Sequence, residues 1–240
     1  MKIFLYENKK DVYLTVLKPE KTNEGQPLPA VLICPGGGYR LVGTTEGRPV
    51  SDKFTDEGYV AFILNYSIGE DAVFGEKAWE DFAPANDLRE ALRLIHEKAD
   101  EFGIDPSEIV LAGFSAGGHL CAGSCLSGFL EKDNLLPKAL VLTYPMGGGP
   151  DSSGTGKPQP DYDIARMPYS NDPAVKSLPV FTWHAKDDEM VPYTASVNLD
   201  ARLTEEGIPH VFLLYDHGIH TRPFFDPDWF YKAIEWLKSL

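Results

Sequence analysis

Gly113-Phe114-Ser115-Ala116-Gly117, Asp187-Asp188 and His217-Gly218-Ile219-His220 carry the side-chain types of nucleophilic catalysis. A serine hydroxyl is a poor nucleophile until a neutral imidazole takes its proton. The imidazole in turn needs a carboxylate to hold its tautomer and to stabilise the imidazolium. The order along the chain is serine, aspartate, histidine, which accompanies a G-x-S-x-G turn set between a strand and a helix. Glycines two residues either side of Ser115 remove the side chains that so tight a turn would crush. The amide of Ala116 then falls in the first turn of a helix, free to donate to an anion and aided by the helix dipole. Read alone, the motif also fits a Gly/Ser-rich turn with no chemistry, so the surrounding chain must decide.

A second candidate is Pro35-Gly36-Gly37-Gly38-Tyr39. Consecutive glycines after an apolar run can be a loose turn or a place where backbone amides approach a ligand. No Gly-Lys-Ser/Thr follows, which excludes the usual phosphate loop. Amides here, together with that of Ala116, are the donors a tetrahedral oxyanion needs.

These residues need a rigid frame, and the hydrophobic pattern supplies one. Residues 2–7 and 12–17 read as an edge hairpin. Buried strands are expected over 30–34, 59–66, the run ending at Gly113, 139–144, 180–184 and 211–215. Helices are expected over 49–57, 84–102 and 194–206, directly after Ser115, and from Asp226-Pro227 onward; Asp105-Pro106-Ser107-Glu108 reads as a capping-type turn. This alternation predicts a three-layer α/β fold, its mostly parallel sheet flanked by an antiparallel N-terminal hairpin. Sites in such sheets form at the carboxyl ends of the strands, where all four candidate stretches fall. The Gly- and Pro-rich residues 146–172 are expected to cover the site, within one domain spanning 1–240.

Composition narrows the partners. A chain of 240 residues, 43% hydrophobic and 12% aromatic, can bury a full core. The net charge of −14 argues against nucleic acid and anionic membrane. No apolar run is long enough to span a bilayer. Met1–Tyr6 enters a strand pattern without the features of a signal peptide, giving an expectation of a cytoplasmic protein. Cys34, Cys121 and Cys125 read as reduced core residues. No Cys/His set completes a metal site, so neither metal nor cofactor is expected. The sequence fixes no oligomeric state.

Taken together, Pro35–Tyr39, Asn65-Tyr66, Gly113–Leu120, Trp183–Pro192 and Gly218–His220 resemble the α/β-hydrolase superfamily. The likeness is to the small serine esterases grouped with acetyl-xylan esterases and hormone-sensitive-lipase-like carboxylesterases, and it covers nearly the whole chain. It implies Ser115 as nucleophile, His220 as base, and Gly37, Gly38 and Ala116 as the oxyanion hole. The D-x-x-V-P wording selects Asp188 as the acid, leaving Asp187 a loop-supporting role. The G-x-H wording selects His220 over His217. Pro35 departs from the histidine of many relatives, which bears on loop support, and Thr221 stands where glycine is common.

The remaining histidines have plainer readings: His119 and His184 in the core, His96 and His210 at the surface or a boundary. Asp87 and Glu46 read as structural hydrogen-bonding residues before substrate contacts, and Tyr39, Trp79 and Tyr144 as pocket lining or, as aromatic residues more often are, core. The resemblance implies hydrolysis of short acyl, chiefly O-acetyl, esters on sugars or small xylo-oligosaccharides. Lipase-like action on longer chains, peptidase action, and a non-catalytic small-molecule receptor on the same scaffold remain open.

Overall fold

The structure is a computed structural model and describes residues 1–20, 25–148, 162–223 and 228–240. Eight strands form one sheet: β1 (Lys2–Phe4), β2 (Tyr13–Leu17), β3 (Leu28–Cys34), β4 (Val60–Asn65), β5 (Ile104–Phe114), β6 (Ala139–Thr143), β7 (Val180–Ala185) and β8 (His210–Tyr215). Their order across the sheet is β1-β2-β4-β3-β5-β6-β7-β8. Pairing is antiparallel for β1–β2 and β2–β4 and parallel elsewhere. The mostly parallel sheet and its antiparallel N-terminal hairpin are therefore as expected.

Strand β3 explains why helices must cover both faces. Its side chains alternate, with Ala30, Leu32 and Cys34 entering one buried cluster and Val31 and Ile33 the other. The first cluster is closed by α2 (Ala83–Glu97), α3 (Ala99–Phe102), α4 (Ala116–Leu126) and α6 (Thr194–Glu205), through residues such as Leu88, Phe102, Leu120 and Leu199. On the other face α1 (Arg48–Asp56) and α7 (Trp229–Leu237) contribute Phe54, Trp229 and Phe230. A short α5 (Pro173–Lys176) leads into β7. Every residue of α4 is buried, so the helix after Ser115 is a central strut.

Two local readings are corrected. The helix expected over 84–102 divides at Lys98, whose φ of −109° and ψ of 22° interrupt the spiral; the following turn sets Phe102 against Phe62 at 5.0 Å. Asp105–Glu108 caps no helix but bulges within β5, where pairing moves from Leu28↔Ile104 to Ala30↔Ile109. The Asp105 carboxylate receives the Ser107 amide at 2.9 Å, which supplies the turn-like signal. Residues 149–161, nearly half of the expected cover, and Asp226-Pro227 lie outside the described residues.

Candidate active site

Ser115 links β5 to α4 with φ 52° and ψ −116°, a region few side chains adopt and one that tight packing must impose. The packing is visible at the flanking glycines. A Cβ on Gly113 would lie 2.5 Å from the Gly117 carbonyl oxygen, and one on Gly117 would lie 1.9 Å from that of Cys34. The serine is nonetheless only 6% exposed. Its Oγ is 3.0 Å from His220 Nε2.

Across the imidazole, His220 Nδ1 is 2.6 Å from Asp188 Oδ2. A carboxylate can only accept, so Nδ1 carries the proton and Nε2 is left to accept from the serine hydroxyl. Asp188 Oδ1 receives the amides of Met190 and Val191, both at 2.9 Å. Burial pushes its pKa up, but hydrogen bonds from His184, His220 and the Val191 amide outweigh that and hold the carboxyl well below the usual carboxylate range.

Sequence reasoning missed the role of His184. It is fully buried, as a core residue should be, yet its Nε2 lies 3.2 Å from Asp188 Oδ2 and 3.0 Å from the Val191 carbonyl. Its Nδ1 faces Ser196 Oγ at 2.7 Å. With two acceptors at Nε2, that nitrogen donates and Ser196 donates to Nδ1. The four-residue spacing of His184 and Asp188 across a strand end was the available signal.

Asp187 Oδ2 lies 3.0 Å from His217 Nδ1 and Asp187 Oδ1 accepts the Gly218 amide at 2.8 Å, which joins the two loops at the surface. His119 accepts the Tyr39 hydroxyl at 2.7 Å and donates from Nε2 to the Tyr162 carbonyl at 2.7 Å. Burial brings its pKa down to about 4. Tyr39, Trp79 and Tyr144 are all buried. Buried Asp87 accepts the Ser67 amide at 2.7 Å, and His210 reaches Asp200 at 3.1 Å.

The glycine loop follows β3. Gly37 and Gly38 take φ of 128° and 60°, and among the described residues their amides donate to no other group. Gly36 is held elsewhere, its amide donating to Glu46 Oε2 at 2.6 Å. The carbonyl of Pro35 receives the Tyr66 hydroxyl at 2.6 Å, so the loop is supported here through the backbone. Among the described residues no three His, Cys, Asp or Glu side chains are grouped to hold a metal ion, and no helix is long and apolar enough to cross a membrane.

Comparison with known proteins identifies the family. The family model described as BD-FAE matches residues 14–143, and the one described as alpha/beta hydrolase fold matches residues 82–210. Endo-1,4-beta-xylanase B of Butyrivibrio fibrisolvens is 27% identical over 79% of this chain and 32% of its own length. The acetylxylan esterase of Xylanibacter ruminicola is 30% identical over 49% of this chain and 22% of its own length. The chain thus spans about a third or less of the length of these curated relatives. The crystal structure of an acetyl ester-xyloside bifunctional hydrolase from Caldicellulosiruptor lactoaceticus superposes with a TM-score of 0.76 at 25% identity, covering 100% of this chain and 96% of that one. Both family models span more than half of the sequence: this chain belongs to the α/β-hydrolase fold family.

Proposed function

We propose that the chain is a serine esterase that hydrolyses short acyl esters, with O-acetyl groups on sugars or xylo-oligosaccharides as the substrate class. The observation that carries this reading is the continuous line of hydrogen bonds Ser115–His220–Asp188, at 3.0 and 2.6 Å. In this account Ser115 Oγ attacks the ester carbonyl while His220 Nε2 takes its proton. The negative charge gathers on the former carbonyl oxygen, where the amides of Gly37, Gly38 and Ala116 are the donors. Collapse expels the alcohol, which takes the proton from His220, and leaves an acyl group on Ser115. Water then attacks the acyl-enzyme by the same route and releases the acid. Asp188 stays ionised throughout, orienting His220 and stabilising its cationic form.

Support for the sugar-ester class comes from similarity to the acetylxylan esterase and to the acetyl ester-xyloside hydrolase. A second reading, preference for longer acyl chains, draws on Leu41, Met190 and Ile219, exposed apolar side chains beside the glycine, aspartate and histidine stretches. A series of p-nitrophenyl esters separates the two. Acetyl should give the highest kcat/KM. Each buried methylene is worth about 0.8 kcal/mol, so a rise from acetyl to octanoyl would move the assignment to a lipase-like carboxylesterase.

A further inference from the structure

Glu46 is a buried carboxyl group near the site that takes no part in the steps proposed for Ser115, His220 and Asp188. Glu46 sits in the turn before α1 and is 1% exposed. An ionisable side chain is seldom buried so completely without a specific set of partners. Its Oε2 accepts the Gly36 amide at 2.6 Å and its Oε1 accepts the Tyr144 hydroxyl at 2.8 Å. Both oxygens thus have a donor, an arrangement that favours the carboxylate. Burial pushes the Glu46 pKa up, and the bonds from Tyr144 and Gly36 and the proximity of His220 offset that only in part, leaving it raised.

Each partner belongs to a different part of the site. Gly36 immediately precedes Gly37 and Gly38, and a Cβ placed on it would lie 2.7 Å from Glu46 Oε2 and 2.9 Å from Ser115 Cβ. Only one glycine therefore separates the carboxylate from the nucleophile. The loop is closed on itself by the Gly43 amide, which donates to the Gly36 carbonyl at 2.8 Å. Tyr144 follows β6 with a φ of 38°, and its amide is anchored to the Trp183 carbonyl at 2.9 Å. The Tyr144 ring centroid lies 4.4 Å from that of His220. Thr221 follows His220 directly in the chain. Thr221 itself takes φ 64°, in the left-handed region that favours glycine. The histidine loop is thus held in a costly conformation beside Tyr144.

We propose that Glu46 and Tyr144 are positioning residues for the hydrolysis: a buried bridge that ties the glycine loop at Gly36 to the histidine loop at His220. This rests on the reading of Ser115 as nucleophile and of Gly37 and Gly38 as oxyanion donors. The functional consequence follows from where oxyanion donors act. They bind charge that exists only in the transition state, so loosening them lowers kcat and leaves KM nearly unchanged. Outright loss of one donor costs on the order of 10²–10³ in rate. Displacement of a donor that is still present should cost less, about tenfold to thirtyfold.

Tyr144→Phe removes one hydroxyl while keeping the ring against His220, and Glu46→Ala removes the other half of the bridge. Glu46→Gln is the conservative variant: its carbonyl can accept the Gly36 amide while its amide donates to the Tyr144 oxygen. With p-nitrophenyl acetate, Tyr144→Phe and Glu46→Ala should each lower kcat about tenfold to thirtyfold with KM within about twofold. Glu46→Gln should recover most of the loss. The double variant Glu46→Ala/Tyr144→Phe should lose less than the product of the single effects. A trifluoromethyl ketone, which mimics the tetrahedral state, should bind more weakly in proportion to kcat/KM. Should Glu46→Ala fail to fold, Tyr144→Phe decides the matter alone. Wild-type kcat in a folded Tyr144→Phe, or a loss confined to KM, would overturn the bridge. An inert wild type, or one unaffected by Ser115→Ala, would instead overturn the reading of Ser115, and the bridge with it.

Discussion

Asp187 and Asp188 are neighbours in the chain, yet their carboxylates serve different histidines: Asp188 Oδ2 lies 2.6 Å from His220 Nδ1, and Asp187 Oδ2 lies 3.0 Å from His217 Nδ1. The Asp188 side chain is 2% exposed and that of Asp187 is 49% exposed. Asp188→Asn should therefore lower kcat by about 10⁴, because an amide facing Nδ1 favours the wrong imidazole tautomer. Asp187→Asn loses a screened surface contact and should change kcat by less than about threefold. Steady-state kinetics of the two variants check this, and a larger loss at Asp187 would reverse the assignment.

The depressed pKa of His119 links stability to pH. In the folded chain it titrates near 4, against 6.5 for an unperturbed histidine, because burial disfavours its charged form. Between those values the unfolded chain takes a proton that the folded one refuses. The contribution is therefore complete above the unfolded value and is lost as pH falls toward 4, by up to about 3 kcal/mol. Urea unfolding across this range should show the decline in the wild type and a flatter profile in His119→Gln. Equal slopes in the two would contradict the assignment.

Gly117 is a test of the serine turn. Its missing Cβ leaves room for the Cys34 carbonyl oxygen, 1.9 Å from where that atom would sit, and a backbone oxygen between two central elements cannot move aside cheaply. Gly117→Ala should cost at least about 3 kcal/mol, at the severe end for overpacking. An unfolding midpoint equal to that of the wild type would show that the turn has slack.

Much of this was legible in the sequence because local signals agreed with global ones. The alternation of apolar strands with amphipathic helices predicted the layers, and glycines at 113 and 117 marked the turn whose steric need the structure displays. His184 was less legible. A strand buried on both faces hides what a histidine in it meets, and only the fold brings its Nε2 back to Asp188. The Glu46–Tyr144 contact joins residues 98 positions apart, and nothing in the composition of either segment announces a partner. Asp105–Glu108 misled because the same side-chain-to-amide bond that opens helices also stabilises a bulge.

The central claim is that Ser115 is the nucleophile, and covalent capture tests it most directly. Treatment with a fluorophosphonate followed by peptide mass spectrometry should place a single adduct on Ser115, with hydrolysis of p-nitrophenyl acetate lost in step. Ser115→Ala should remain folded, take up no probe, and turn over the ester about 10⁴–10⁶ times more slowly. An adduct on another residue, or a Ser115→Ala variant keeping a tenth of the wild-type rate, would contradict it.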